Sequence, residues 1–214
     1  MAYTIDHHYN TEIKIKNSKF ISDLFIAGTT NDAMEHLQVI RELHPKANHH
    51  CFAYKIGCPV RSHRYSDDRE PSGTAGKSIY GQLESFDVTN IICIVTRYFG
   101  GTLLGTGGLI RAYRDAAKEV LSQAALIEIN PEYRYKVTFG FERMPMIMEA
   151  AKKFPGEIVE KSLFESPYLV LSTENKDNKY LIALFKSYVL GIELDHAASL
   201  DNLDFKIEKL DWDA

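Results

Sequence analysis

The sequence is poor in the features that mark a secreted, membrane-spanning or low-complexity chain. It has 214 residues and only three cysteines, Cys51, Cys58 and Cys93. That number is odd and no CxxC spacing occurs, whereas small secreted domains usually carry paired bridges, so free and mostly buried thiols are expected. Apolar runs such as Ile91-Ile92-Cys93-Ile94-Val95 are far shorter than the roughly 18–20 residues that cross a bilayer. The opening Met1-Ala2-Tyr3-Thr4-Ile5-Asp6-His7-His8 offers neither a basic nor an apolar signal region. No block of like charge, no internal repeat and no low-complexity tract occurs. The remaining composition is 45% hydrophobic, 25% charged and 11% aromatic, that of an ordinary globular protein. A cytoplasmic location, without membrane attachment, is the expectation.

The net charge of −4 is unevenly placed. Residues 1–130 carry 14 basic and 14 acidic side chains, residues 131–214 carry 11 and 15. A broad electrostatic grip on nucleic acid is therefore not indicated. Six of the nine arginines (Arg61, Arg64, Arg69, Arg97, Arg111 and Arg114) nevertheless fall between positions 61 and 114. If the fold gathers them, a local anion site follows.

Periodicity divides the chain. In the first half, Ile13 and Ile15, then Phe20, Leu24 and Ile26, alternate as two opening strands. Thr30 suits the N-cap of a helix with Ala33, Leu37, Ile40 and Leu43 on one stripe. His50, Phe52, Tyr54 and Ile56 predict a third strand, and Gly57–Gly76 a long polar loop. A short helix follows, with Ile79, Leu83 and Phe86 on one face. Val88–Val95 is β-branched and nearly all apolar, as a buried central strand would be. Gly100–Gly108 reads as a glycine-rich loop opening a helix that carries Leu109, Ala112, Ala116 and Val120. Asn130-Pro131 punctuates the chain. Beyond it, Tyr133, Tyr135, Val137, Phe139 and Phe141 alternate in a strand. Met144, Ile147, Ala151 and Phe154 predict a helix, and Ile158–Phe164 and Tyr168–Ser172 two strands meeting at a Ser-Pro turn. Leu181, Leu184, Phe185 and Tyr188 predict a helix, and Leu203, Phe205 and Ile207 a last strand. Two domains are expected, 1–130 and 131–214, the second a ferredoxin-like βαββαβ unit. The fold class is α+β.

Two segments carry candidate chemistry. Arg64–Gly76 places Asp67, Asp68 and Glu70 among small turn formers on a long loop, and such loops are usually functional or disordered. Its amides, with the hydroxyls of Ser72 and Thr74, can face an anion at the start of the next helix. Equally, the segment can be a solvated turn whose carboxylates pair with arginines. The second segment, Thr96–Tyr113, runs from a buried strand through Arg97 to Gly100, Gly101, Gly105, Gly107 and Gly108 at a helix start. Backbone approach and the helix dipole favour an anion there, with Arg97 beside it and Arg111 and Arg114 reaching back. The competing reading is that the glycines serve packing and the arginines pair or cap.

Other motifs fail. Gly76-Lys77-Ser78 ends like a phosphate-binding loop of nucleoside triphosphatases, but Pro71 stands where the first glycine belongs and no apolar strand precedes it. Gly105-Thr106-Gly107 starts a dinucleotide fingerprint that Ile110 breaks. His49, His50, Cys51, Cys58 and His63 match no zinc spacing, so neither metal nor cofactor is expected. No GxSxG or HExxH occurs.

Taken together, SDDREPSGTAGKSIY (66–80) and VTRYFGGTLLGTGGLIRAY (95–113) resemble the two signature segments of the Impact/YigZ family. The resemblance begins at SKFI (18–21), includes ANHHCFAYKIG (47–57) and extends to Ile127. Arg69 stands where the family usually has glycine, and Ser78 where it has proline. The resemblance implies an N-terminal domain with the second-domain fold of ribosomal protein S-five, shared with GHMP-type kinases. It also implies a C-terminal ferredoxin-like domain similar to one in elongation factor G. Eukaryotic members resemble regulators of translation under amino-acid starvation that compete for the activator of a kinase; they carry an additional N-terminal module, so that partner is not carried over.

The expected function is thus a translation-associated regulatory protein, without established catalysis. It would bind RNA phosphate or a ribosomal or translation-factor surface through Arg97, Arg111, Arg114 and the loop amides, with Asp67, Asp68 and Glu70 organising the arginines. The alternative is an enzyme for a small phosphorylated or anionic ligand in the same cleft, with Asp68 or Glu70 as base or Mg²⁺ ligand. A third reading is a docking module using the sheet face of Tyr133 and Tyr135.

Overall fold

The computed structural model describes residues 2–201 and 203–210. The chain divides into two compact units, Met1–Asn130 and Pro131–Ala214, and the fold is α+β.

Unit 1 contains β1 (Ala2–Ile5), β2 (Tyr9–Ile15), β3 (Ser18–Ile26), α1 (Thr30–Leu43), β4 (His49–Ile56), β5 (Ser62–Ser66), α2 (Gly76–Ser85), β6 (Ile91–Tyr98), α3 (Gly105–Gln123) and β7 (Leu126–Ile129). Five strands form one antiparallel sheet in the order β2-β3-β6-β4-β5. β6 is central because its residues suit burial on both faces. Ile91, Cys93 and Val95 pack on the side of α2 and α3, Ile92 and Ile94 on the side of α1. Val88, expected in this strand, instead forms an isolated bridge with Tyr3.

Three local expectations need correction. The N-cap of α1 is Thr29, one residue earlier than predicted, because Thr29 and Asp32 close a reciprocal capping box. Leu43, expected on the buried stripe, lies at the helix end and is exposed. The supposed loop 57–76 contains β5, whose exposed residues at the sheet edge hide its strand character. β1 and β7, which pair antiparallel as a two-stranded ribbon, escaped the sequence reading. Each is four residues long, and the pairing joins Ala2 to Ile129, beyond the reach of local periodicity.

Unit 2 contains β8 (Tyr133–Phe139), a single 3₁₀ turn (Phe141–Arg143), α4 (Met144–Lys153), β9 (Glu157–Ser162), β10 (Tyr168–Thr173), α5 (Asn178–Leu190), the short α6 (Leu194–Ala198) and β11 (Phe205–Lys209). Its sheet is antiparallel in the order β11-β8-β10-β9, the split βαβ arrangement. Tyr135, Val137, Leu169, Leu171, Phe205 and Ile207 face the core with Ile147, Leu181 and Phe185 of the helices. The sheet face that carries Tyr135 is therefore covered by this unit's own helices, and Tyr135 is fully buried. That excludes it as the docking surface considered above. α5 stops at Gly191, which takes the left-handed conformation.

Candidate functional site

The acidic segment 66–76 folds around its own carboxylates. Asp67 accepts amide N–H bonds from Gly73 (2.8 Å), Ala75 (2.9 Å) and Gly76 (2.8 Å). The amino end of α2 thus already holds an anion, supplied by the chain. Thr74 donates its hydroxyl to the Pro71 carbonyl and is buried, and Ser72 is exposed on the loop. The expectation that these amides and hydroxyls face an external anion is corrected: Asp67 fills the position. Gly76 is required for a different reason, since a Cβ there would lie 2.6 Å from the Ser66 backbone nitrogen.

Asp68 and Glu70 are likewise committed. Asp68 accepts the His50 amide at 2.7 Å, and its carbonyl accepts from His49 Nδ1 at 2.9 Å. Arg41 approaches the Asp68 carboxylate at 3.7 Å. Asp68 and Arg69 both have left-handed backbone, with φ of 39° and 72°. Glu70 is buried, and its Oε1 accepts both Arg97 Nη1 (2.5 Å) and the Tyr113 hydroxyl (2.8 Å). Burial pushes the acidity of the Tyr113 hydroxyl and the Cys51 thiol far down, so both remain protonated. Cys51 Sγ approaches the Asp67 carbonyl at 3.0 Å. Of the three carboxylates expected to organise Arg97, Arg111 and Arg114, Glu70 pairs with Arg97, whereas Asp67 and Asp68 hold backbone amides of α2 and β4 instead.

Arg97, near the end of β6, is 5% exposed. Its guanidinium lies over the rings of Phe20 and Phe99. One donor goes to Glu70, while Nε is buried without a partner. Beside it opens a cavity of about 450 Å³, lined among others by His49, Glu70, Arg97, Phe99, Leu103 and the first residues of α3. The amino end of α3 contrasts with that of α2: no side chain caps it and its first turn holds no acidic residue. Gly105, Thr106 and Gly107 are exposed there. The first N–H groups of a helix lack intrahelical partners and carry positive partial charge, and here neither a side-chain cap nor an acidic residue of the first turn offsets them.

The glycines divide by task. Gly100 packs against the β2–β3 turn, where a Cβ would lie 2.0 Å from the Asn17 carbonyl carbon, and its amide donates to Ser18. Gly101 and Gly105 have positive φ. A Cβ on Gly108 would press on Leu104 at 3.1 Å, whereas Gly107 opens onto free space. Gly105 lines the cavity.

Arg111 and Arg114 do not join Arg97 around this cavity. Both are exposed on α3, and Arg114 pairs with its neighbour Asp115 at 3.0 Å. The predicted convergence of three arginines is thus corrected to one. Sequence reasoning missed Asn48, which ties three segments together: its side chain accepts the Phe99 amide, its carbonyl accepts Arg69, and its amide donates to the Arg97 carbonyl. It also missed Phe99 and Leu103, exposed apolar residues at the mouth. Among the described residues, no group of three His, Cys, Asp or Glu side chains is arranged to hold a metal ion. No helix among them is long and apolar enough to cross a membrane.

Residues 16–121 match the family model of the Impact N-terminal domain. A relative from Haemophilus influenzae, described as an IMPACT family member, is 34% identical over 77% of this chain and 81% of its own. The chain belongs to the IMPACT family. The Escherichia coli IMPACT family member YigZ is 36% identical over 68% of this chain and 72% of its own length. Both IMPACT units have a counterpart in a crystal structure of a protein described only as hypothetical: 26% identity, TM-score 0.67, covering 98% of this chain and 96% of that one. Within the IMPACT match lie Glu70, Arg97, Tyr113 and the open end of α3.

Proposed function

We propose that this protein is a translation-associated regulator that binds single-stranded RNA, free or exposed on the ribosome. A phosphodiester sits on the amino end of α3 beside Arg97. The observation that carries this reading is the contrast between the two helix ends: α2 is closed by Asp67, and α3 is open toward a cavity that also contains an incompletely partnered, buried guanidinium. Phe99 and Leu103 at the mouth supply apolar surface on which a base can stack. Membership of the IMPACT family supports the link to translation, through the resemblance set out above. RNA phosphate suits the site better than a dianion, because Glu70 already offsets the Arg97 charge.

The test is binding of a labelled single-stranded oligoribonucleotide and of purified ribosomal subunits across a salt series. One or two phosphates at one helix end give a slope of about −0.7 each, a loss of roughly 3–7-fold between 50 and 200 mM salt. A much steeper slope would move the contact to the surface lysines, and no binding at 50 mM salt would refute the reading.

One observation favours a second reading: the cavity is concave and walled by apolar side chains, as sites for small ligands are. A thermal-shift screen of nucleotides and sugar phosphates tests it. In that reading the site binds rather than catalyses, because Asp68 and Glu70 are occupied by the hydrogen bonds given above.

A further inference from the structure

We propose that unit 2 carries a second recognition site, independent of the α3 cavity: the open edge of β11 and the groove between it and α5 take an extended, acidic peptide segment of another protein.

The backbone hydrogen-bond pattern shows which groups are open. In an antiparallel pair, alternate residues bond to the neighbour and those between point away. Leu210 donates its amide to the Arg134 carbonyl, so the same alternation directs Glu208 and Lys206 toward β8. On the far side of β8, Phe139 donates to Pro167, the parity this register demands. The N–H and C=O groups of Phe205, Ile207 and Lys209 therefore face outward, and among the described residues no strand pairs with them. Such a row is a template for an added strand.

A groove of about 480 Å³ runs beside this edge, with Ile182 and Lys186 of α5 on one wall and Phe205 and Ile207 on the other. A second depression of about 410 Å³ continues it along α5, past Lys179 to Asn178. Two features indicate what fits. Asn178 Oδ1 is buried and accepts no hydrogen bond, a vacancy that a peptide N–H satisfies. The rim is net basic: Lys179, Lys186 and Lys206 stand against two carboxylates, Asp201 at 4.0 Å from Lys186 and Glu208 paired with Lys206, although residues 131–214 carry 15 acidic against 11 basic side chains. Lys186 is held in place by its bond to the Leu200 carbonyl at 2.5 Å. A locally inverted charge on an acidic unit selects an acidic partner and repels a basic one.

The probe is an end-blocked octapeptide alternating valine and glutamate, titrated into the full-length protein and followed by fluorescence anisotropy and amide exchange. Binding is expected to slow exchange at Phe205, Ile207 and Lys209. The alternating valine–lysine octapeptide is expected not to bind. Two variants disable different parts: Lys209→Pro removes an edge N–H that no described strand uses, and Lys179→Glu/Lys206→Glu reverses the exposed rim. Each should weaken binding at least tenfold while leaving RNA binding at α3 unchanged. Wild-type affinity in both variants, equal binding of the lysine peptide, or slowed exchange at β9 instead would overturn the proposal. So would protection of β11 by single-stranded RNA but not by the peptide.

Discussion

Replacing Gly107 by aspartate separates stability from binding at the α3 site. Gly107 is exposed at the third position of the helix, and a Cβ there meets no atom within 4 Å. Removing a helical glycine gains about 0.5 kcal/mol. A carboxylate in the first turn adds roughly 0.3–1 kcal/mol through the dipole. The variant should therefore be more stable by about 1 kcal/mol, a rise of roughly 3–5 °C in the melting temperature of unit 1. The same carboxylate occupies the amides and repels a phosphodiester. At about 5 Å and an effective dielectric of 40–80, that repulsion is about 0.8–1.7 kcal/mol, a loss of roughly 4–17-fold in RNA affinity. Anisotropy with a labelled oligoribonucleotide at 50 mM salt reads the affinity, and differential scanning calorimetry reads the stability. Gly107→Asn, matched in size but uncharged, should lose much less. A stabilised Asp variant that binds RNA like the parent would show that the phosphate does not sit on α3.

Arg97→Ala leaves Glu70 as a buried, uncompensated charge, so a loss of roughly 3–5 kcal/mol in urea unfolding is expected. The double variant Arg97→Ala/Glu70→Ala should lose clearly less than the sum of the singles, and additivity would contradict the pairing. Arg69→Gly relieves a left-handed residue and should raise stability by about 0.5–1 kcal/mol by the same assay; a fall would show that the bond to Asn48 outweighs the strain. Gly100→Ala forces β2–β3 and β6 apart and should cost about 1–3 kcal/mol, which an unchanged melting temperature would refute. Burial of His50 holds its protonation below the ordinary histidine range. The unfolded chain then takes up the proton first, so stability present above about pH 6.5 falls as pH drops through that range. His50→Gln should flatten this part of the pH–stability curve.

What the sequence made legible follows from where its periodicities are strong. Tyr135, Val137 and Phe139 of β8, the double-sided apolar run of β6 and the apolar stripe of α3 identified buried faces correctly, because burial imposes a regular spacing on the residues of one element. Phe141, expected to continue β8, lies beyond it and is exposed, and of the stripe expected on α5 only Leu181 and Phe185 are fully buried. β5 is an edge strand with mostly exposed residues, and exposure erases that spacing. The glycine-rich helix start was visible, but the tasks of its glycines were not. A Cβ on Gly100 would collide with Asn17, 83 positions away, and one on Gly107 would meet no atom within 4 Å, yet both look alike as letters. The acidic loop illustrates a second limit. A carboxylate that closes a helix end and one that binds substrate have the same composition around them, and only the three amide bonds to Asp67 distinguish them.

The β1–β7 ribbon has a mechanical consequence. Ala2 lies opposite Ile129, so these two residues sit at the same end of two antiparallel strands. Tension between residue 2 and the segment that leads into unit 2 does not shear this ribbon; it peels it one residue pair at a time, the loading direction in which hydrogen bonds resist least. Tyr3 is the latch, because its amide and carbonyl also bond to Asp87 and Thr89 on the body of the unit. A pull that frees Ala2 meets Tyr3 next. Past that grip the pull meets Ile5, which is buried in the core of the unit.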